Sequence, residues 1–323
     1  MLTDAHQKNR FEFCSKKVNE KTMTYDTNYD VIHIDEKWFY VTESGESYWV
    51  TDSEDVAYRA SKSKRFIKKC MFIAALARPR FDYSRNQMFD GKIGIWPFSE
   101  IVNAKRASKN RPKGTPEVKP ITSVTKVHNR NMIIEKIIPA IVDKWPRSVR
   151  NDTPKVFIQQ DNAGPHIAVD DPEFLQAVSS VDSMQIRIIS QPAMSPDLNI
   201  LDLGFFNSIQ SLHYRKLCRT YEELQKNVCD AFANYKVSTL SDLWLTLQAI
   251  YNEVIKAKGN NNYKLPHLKK EALRKQGRLQ ENVSVCSGAL KSMRSHQEFL
   301  NNQDKKKEEV DTILKMTKKL TEV

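Results

Sequence analysis

The sequence predicts an α/β protein in which one mixed sheet is covered by helices. Three observations lead to this fold class. Short runs rich in β-branched residues alternate with segments of helical periodicity. The run at residues 69–77 is apolar enough for a central strand. Hydrophobic residues make up 40% of the 323 residues, which is enough for a sizeable core.

The first part of the chain is predicted to contain a connector, three strands and an insertion. Apolar residues at roughly helical spacing indicate a helical connector over residues 1–28. Strands are predicted at 29–35, 46–51 and 69–77. Residues 78–123 carry five prolines and three glycines, which indicates a long excursion outside the core.

The second part alternates helices with two further strands. Helices are predicted at 124–144, 172–180, 199–215 and through 221–258, and strands at 155–160 and 184–189. The predicted α/β domain therefore runs over 29–258, with its insertion at about 78–123. Residues 259–323 are interpreted as a basic, poorly patterned C-terminal extension that ends in an exposed helix, with Val310, Ile313, Leu314 and Leu320 at helical spacing.

The charge balance indicates a polyanionic partner and excludes several other classes of protein. There are 51 Lys and Arg residues against 39 Asp and Glu, a formal net charge of +12, which favours nucleic acid as the partner. The five cysteines are scattered and form no CxxC pair, which indicates a reducing compartment without a disulfide scaffold or zinc site. Neither GxxxxGK[ST] nor GxGxxG occurs, so a P-loop ATPase is excluded, and no apolar run is long enough to span a bilayer.

Three aspartates stand where an α/β sheet gathers functional groups. Asp35 ends the first predicted strand, Asp161 directly follows a central strand, and Asp202 lies in the first turn of an amphipathic helix. Three convergent carboxylates form the ligand set that Mg²⁺ or Mn²⁺ prefers. Two such ions can activate a nucleophile and stabilise the leaving oxygen in phosphoryl transfer.

Each of these positions also has an ordinary structural interpretation. Asp35 could be a turn residue, and Asp161 stands in the turn-forming string DNAGP. Asp202 could favour the helix dipole after an Asn199 N-cap, and Asp197 is a rival carboxylate that better fits a turn. His166 is interpreted as a structural hydrogen-bonding residue rather than a metal ligand.

Three strings of the sequence resemble the catalytic blocks of mariner-like transposases, in the plant-type branch. They are VIHIDEKWF at 31–39, QQDNAGPH at 159–166 and QPAMSPDLNILD at 191–202. The third continues into LDLGFF at 201–206. Further strings similar to that branch are GKIGIWPF at 91–98, SKNRPKGT at 108–115 and YKLPHLKK at 263–270. The resemblance extends from about residue 2 to 280.

The resemblance implies an RNase H-like fold and a transposase catalytic domain of the DDE superfamily. It implies divalent-metal-dependent DNA cleavage and strand transfer at transposon ends, with Mg²⁺ or Mn²⁺ as cofactor. In the family pattern Asp35, Asp161 and Asp202 are both the catalytic residues and the metal ligands, and the third aspartate is Asp202 rather than Asp197. The implied partners are double-stranded DNA and a second copy of the chain, and the implied location is the nucleus.

Two basic segments are candidate DNA surfaces. Residues 59–69 and 105–119 together carry twelve positive charges and one negative charge, that of Glu117. The alternative is that both are solvated loops; the resemblance adds that the insertion reaches a partner subunit. The candidate phosphate-contacting residues are Lys62, Lys64, Arg65, Lys105, Arg106, Lys109, Arg111 and Lys113.

Family members carry paired helix-turn-helix modules ahead of the catalytic domain, and residues 1–28 resemble only the connector that follows them. The sequence is therefore expected to bind duplex DNA with little sequence preference. Two alternatives to an active transposase domain remain. One is a catalytically inactive, transposase-derived DNA-binding or interaction protein. The other is an RNase H-like nuclease that cleaves RNA–DNA hybrids.

Overall fold

The computed structural model describes residues 2–41, 67–109, 111–147, 153–214, 216 and 218–298. The strand predicted at 46–51, the basic segment up to residue 66 and the helical pattern around Val310 lie outside these residues. Within them, no helix combines the length and the apolar character needed to cross a membrane.

Eleven strands are present in the described residues. They are β1 (Val18–Asn19), β2 (Thr24–Tyr25), β3 (Val31–Tyr40), β4 (Lys69–Ala77), β5 (Arg80–Asp82), β6 (Gln87–Phe89), β7 (Lys92–Pro97), β8 (Ser99–Asn103), β9 (Pro116–Pro120), β10 (Lys155–Gln160) and β11 (Gln185–Ser190).

The helices lie mainly in the second half of the chain. The α-helices are α1 (Asp4–Ser15), α2 (Lys126–Met132), α3 (Ile138–Lys144), α4 (Pro172–Ser179), α5 (Phe206–Tyr214), α6 (Tyr221–Ala233), α7 (Val237–Lys256) and α8 (Lys270–Lys275). A π-helical turn, Ile133–Ile137, joins α2 to α3, and a second one, Leu201–Phe205, leads into α5. Residues 287–298 are also helical.

Five strands form the central mixed sheet, in the order β11-β10-β3-β4-β7. β10 is parallel to both β11 and β3, whereas β4 is antiparallel to β3 and β7. The prediction of a mixed sheet flanked by helices is therefore confirmed. β4 and β10 have the predicted bounds, but β3 continues five residues beyond Asp35 to Tyr40.

Apolar side chains cover both faces of this sheet. On one face the isoleucines of α2–α3, among them Ile137 and Ile141, pack in a buried cluster with Ile32 and Ile34 of β3. On the other face aromatic rings pack together: Phe39 of β3 lies 6.4 Å from Phe206 and 5.4 Å from Phe72 between ring centroids. Burial of side chains of this size contributes about 1.5–3 kcal/mol each.

The predicted insertion is partly wrong, because β7 lies within it and forms an edge of the central sheet. Its Ile93 is fully buried, and Ile95 nearly so. Pro97 is tolerated because it stands at the end of an edge strand, where a missing N–H leaves little unpaired. Only the hairpins β5–β6 and β8–β9 project from this part of the chain as separate two-stranded sheets.

The described residues divide into two compact units, one over 28–191 and 195–244, the other over 1–27, 192–194 and 245 onward. In the second unit the chain after Gly259 is more ordered than the sequence predicts. Arg10 of α1 is buried and donates from Nε to the Gly259 carbonyl at 2.9 Å, and the backbone N–H of Tyr25 donates to the Val283 carbonyl at 3.0 Å. Val285 and Ala289 are buried. Residues 259–298 are therefore part of a folded unit with the N-terminal segment.

The turn before β7 gives a test of this architecture. Gly91 has φ +76°, and a Cβ there would lie 2.3 Å from the Ala77 carbonyl oxygen, which is backbone and has little freedom to move. We expect Gly91→Ala to lower the free energy of unfolding by about 2 kcal/mol or more, measured by urea denaturation. Gly114→Ala is the matched control, because Gly114 has φ +86° but open space around it. Equal losses in both variants would contradict the proposed steric contact.

Candidate active site

The three aspartates singled out in the sequence lie on elements that meet at one edge of the central sheet. Asp35 is a half-buried residue within β3, Asp161 follows the last residue of β10, and Asp202 is an exposed residue of the second π-helical turn. The parallel register pairs Gln159 with His33, so the chain leaves β10 beside Asp35. π-helical turns are frequent at functional sites.

Asp35 and Asp202 interact directly through their side chains. The two carboxyl groups share a hydrogen bond, so one of them carries a proton in this arrangement. Burial, followed by the negative charges of Asp202 and Glu36, raises the pKa of Asp35 to about 8. Partial desolvation raises the pKa of Asp202 as well, against the hydrogen bond from Asp35 and the charge of Lys37. This is the behaviour of two like charges that share one site.

Two donors hold the Asp35 carboxyl in place. The backbone N–H of Glu36 donates to Oδ1 at 2.8 Å, and the Asn199 amide donates from Nδ2 to Oδ2 at 3.2 Å. Asn199 is fully buried, and its Oδ1 accepts from the backbone N–H of Leu201 at 3.1 Å. Asn199 therefore links Asp35 to the turn that carries Asp202.

Asp161 belongs to a second, adjoining group of side chains. Its Oδ1 contacts His166 Nδ1 at 2.6 Å and accepts from the Ala163 N–H at 2.8 Å. His166 Nε2 contacts Glu36 Oε2 at 2.8 Å, and Glu36 Oε1 accepts from Asn129 Nδ2 at 2.6 Å. The hydrogen bond with His166 is the main cause of a lowered pKa at Asp161. Burial lowers the pKa of His166, but the bonds to Asp161 and Glu36 outweigh it and raise the pKa to about 11.

The two groups are electrostatically connected. The negative charge of Asp161 contributes to the raised pKa of both Asp35 and Asp202. Within the described residues, however, no three His, Cys, Asp or Glu side chains are already arranged around a single ion position. Asp197 lies in a short 3₁₀ turn, Pro196–Leu198, and is not among the carboxylates that raise the pKa of Asp35.

Three polar residues of the site were missed by the sequence analysis, and a fourth was only partly understood. Glu36, Asn129 and Lys37 were not singled out, and His166 was interpreted only as a structural residue. An available signal was the period of two along a strand, which places Asp35 and Glu36 on opposite faces of β3. Lys37, on the Asp35 face, donates from Nζ to Asn207 Oδ1 at 3.3 Å.

The described basic candidates lie on the loop that closes the β8–β9 hairpin. Lys105, Arg106, Lys109 and Lys113 are exposed. Arg111 is half-buried and forms an ion pair with Glu117 of β9, so part of its charge is already neutralised. Lys62, Lys64 and Arg65 lie outside the described residues.

The raised pKa of Asp35 predicts a specific pH dependence of stability. A carboxyl whose folded-state pKa lies above its unfolded value of 3.8 stabilises the protein below that value, and the contribution is lost as pH rises towards the folded-state pKa near 8. In EDTA, we expect Asp35→Asn to gain at least about 1 kcal/mol over wild type between pH 5 and pH 8. Thermal unfolding at both pH values measures this gain. The exposed Asp182→Asn serves as control, and parallel pH profiles for Asp35→Asn and wild type would contradict the expectation.

No protein-family model matches the chain, and no curated protein matches it either. Solved structures do. "Mos1 transposase paired-end complex with left transposon end" has a TM-score of 0.55 at 17% identity, covering 80% of this chain and 64% of that one. "Crystal structure of a pre-cleavage Mos1 transpososome" has a TM-score of 0.57 at 17% identity, covering 81% and 65%.

A third structure, "Structure of Mos1 transposase catalytic domain and Raltegravir with Mn", has a TM-score of 0.52 at 15% identity. It covers 81% of this chain and 99% of that one, whereas this chain spans 64–65% of the Mos1 chains in the two complexes above. Similarity at this level of identity concerns the fold. The RNase H-like α/β fold expected from the resemblance is therefore confirmed, and it is the fold of the Mos1 transposase catalytic domain.

Proposed function

We propose that this chain is a transposase catalytic domain that cleaves double-stranded DNA and transfers its strands with the help of a divalent cation. The observation that carries the proposal is the carboxyl pair Asp35–Asp202, which shares a hydrogen bond while Asp161 adds a third carboxyl group at the same edge of the sheet. Titratable groups with strongly perturbed pKa values at the carboxyl edge of an α/β sheet are candidates for catalysis.

The donor set fits a hard cation. Asp35, Asp161 and Asp202 offer carboxylate oxygens, which Mg²⁺ and Mn²⁺ prefer, and no thiolate takes part. Mutual repulsion disfavours ionisation of both Asp35 and Asp202, and a nearby positive charge favours it. The same three aspartates hold the catalytic positions in the family pattern that the sequence resembles, and two of the similar Mos1 catalytic-domain structures are named "with Mn" and "with Mg".

Each residue then has a distinct part in the reaction. When bound, the cation supplies Lewis-acid stabilisation of the attacking and leaving oxygens of a phosphodiester. Asp35 and Asp202 would hold the cation through their carboxylates once both are ionised, with their shared proton released to solvent. Asn199 and the Glu36 N–H keep the Asp35 oxygens oriented, and Asp161 would hold the cation through a carboxylate that His166 keeps ionised.

The partners follow from the same proposal. The exposed lysines of the β8–β9 loop can contact phosphates of duplex DNA, and the proposed dimer on DNA would bring two chains to a pair of transposon ends. A chain that acts on chromosomal transposons works in the nucleus. The alternative, a catalytically inactive DNA-binding protein of the same fold, differs in one measurable respect: it binds DNA without cutting it.

Asparagine substitutions test the assignment of the aspartates. Asn in place of Asp161 keeps an acceptor for Ala163 N–H but removes a negative charge, so the fold should persist. We expect Asp161→Asn and Asp202→Asn each to slow nicking of supercoiled plasmid in Mg²⁺ or Mn²⁺ by about 10²-fold or more, a barrier increase of about 3 kcal/mol. The nearby Asp197→Asn is the matched control and should retain most of the activity. An Asp197→Asn loss with normal Asp202→Asn activity would reverse the assignment of the third residue.

Salt dependence of DNA binding tests the basic loop. Each lost phosphate contact reduces the slope of log affinity against log salt by about 0.9 on duplex DNA. Replacing Lys105, Arg106, Lys109 and Lys113 together by Gln should therefore reduce the slope by about 3–4 units. Arg111→Gln should change it least, because Arg111 is paired with Glu117. An unchanged slope in the fourfold variant would exclude this loop from the DNA surface.

A further inference from the structure

A chain of three side chains connects helix α2 to the Asp161 carboxylate. Asn129 of α2 donates to Glu36 Oε1 at 2.6 Å, Glu36 Oε2 contacts His166 Nε2 at 2.8 Å, and His166 Nδ1 contacts Asp161 Oδ1 at 2.6 Å. Asn129 is 1% exposed and His166 8% exposed, so water competes little for these bonds. The three side chains come from different elements: Asn129 from α2, Glu36 from β3 and His166 from the segment after β10.

The contacts made by the Asp161 carboxylate involve its Oδ1 atom and not its Oδ2 atom. His166 Nδ1 and the Ala163 N–H both contact Oδ1, and no described residue is bonded to Oδ2. A carboxylate held through one oxygen by two donors loses rotational freedom about its terminal torsion. Its second oxygen is then presented in one direction before any ligand arrives, which lowers the entropy lost on binding.

Helix α2, which carries Asn129, is itself held in place. The residue after Asn129, Arg130, donates to Asp171 Oδ2 from Nε at 3.1 Å and from Nη2 at 2.7 Å. Asp171 caps α4 by accepting from the Phe174 N–H at 3.1 Å. α2 is thus anchored to a neighbouring helix, and through Asn129 this anchorage reaches Glu36.

We propose that Asn129, Glu36 and His166 are positioning residues that fix Asp161 through Oδ1 so that Oδ2 binds the divalent cation. This inference rests on the proposed function of Asp161 as a metal ligand. Glu36 acts only through His166, and neither residue contacts the cation. Polar partners behind a metal ligand of this kind typically contribute a factor of 10–100 to metal affinity.

Mn²⁺ binding to the full chain, followed by electron paramagnetic resonance or calorimetry, tests the proposal without any cleavage assay. We expect Glu36→Gln and His166→Ala each to raise the Mn²⁺ dissociation constant by about 10- to 100-fold. Gln at position 36 keeps the size of the side chain but removes its negative charge, so it weakens the contact with His166 with little loss of packing. Apo thermal unfolding reports whether each variant folds.

His213→Ala is the matched control for the loss of a buried histidine. His213 is 1% exposed and bonds through Nε2 to the Tyr40 carbonyl at 2.9 Å, remote in its contacts from Asp161. It should lower the unfolding temperature while it leaves the Mn²⁺ dissociation constant within about twofold. If Glu36→Gln and His166→Ala also stay within twofold of wild type, the proposal is overturned.

A double-substitution cycle distinguishes positioning from direct ligation and from general loosening. If Glu36 acts through Asp161, then Glu36→Gln should have almost no further effect on Mn²⁺ affinity in an Asp161→Asn background. A full additive effect there would show that Glu36 binds the cation itself or acts by another route, and would overturn the proposal. If instead Asp161→Asn alone leaves Mn²⁺ affinity unchanged, the proposed role of Asp161 fails, which is a separate outcome.

Discussion

The parallel pairing of β3 with β10 is the constraint on which the site depends. Its register sets Gln159 opposite His33, so the chain emerges from β10 at the level of Asp35. In the antiparallel direction the partner of Asp35 is Ala74 of β4, a buried residue with a minimal side chain. A larger side chain at that position would compete for the space beside the carboxyl. β10 therefore brings Asp161 close to Asp35, and Ala74 of β4 leaves space for the Asp35 carboxyl.

The period of two along β3 then distributes the polar residues between two layers. Asp35 contacts Asn199 and Asp202, while Glu36 contacts Asn129 and His166. The two adjacent carboxyl groups thus belong to different networks. Asp35 shares a proton with Asp202, whereas Glu36 is paired with His166. Because the two side chains lie on opposite faces of the sheet, Asp35 and Glu36 have different polar partners although they are neighbours in the sequence. Asp161, at the edge where the layers meet, interacts with both.

Much of the fold could be predicted from the sequence because local pattern determines it. β4 is an apolar run and β10 has a short apolar centre, and the bounds of both strands were predicted correctly. β3 was predicted too short, because the charged residues Glu36 and Lys37 after Asp35 indicate the end of a strand. In the fold these two side chains are bonded to Asn129, Asn207 and His166. β7 was missed because Gly94 and Pro97 read as breakers. In the fold the Trp96 ring packs directly over Gly94 and occupies the space that a Cβ at this position would need.

The sequence could predict the three aspartates of the candidate site but not the side chains that orient them. Asp161 follows β10 as predicted and Asp202 lies near a helix start, whereas Asp35 lies inside β3 rather than at its end. The bonds made by Asp35 and its neighbour Glu36 join residues far apart in the chain: Asn129 with Glu36 across 93 positions and Asn199 with Asp35 across 164. Such pairs depend on strand register and helix docking, which no local periodicity encodes. The side chains that orient the aspartates therefore remained hidden until the fold was known.

A buried acid pair has an energetic consequence that links stability to function. Burial and the charge of Asp202 oppose ionisation of Asp35, so the folded chain is destabilised at a pH where this carboxyl is charged. If a divalent cation binds there, as we propose, its binding free energy offsets this cost, and stability rises with cation concentration by mass action. The sheet around Asp35 is correspondingly apolar, with Ile34 and Ala75 almost fully buried on neighbouring strands. A strong core beneath the site is what allows the fold to tolerate an acid pair that, without a cation, opposes it.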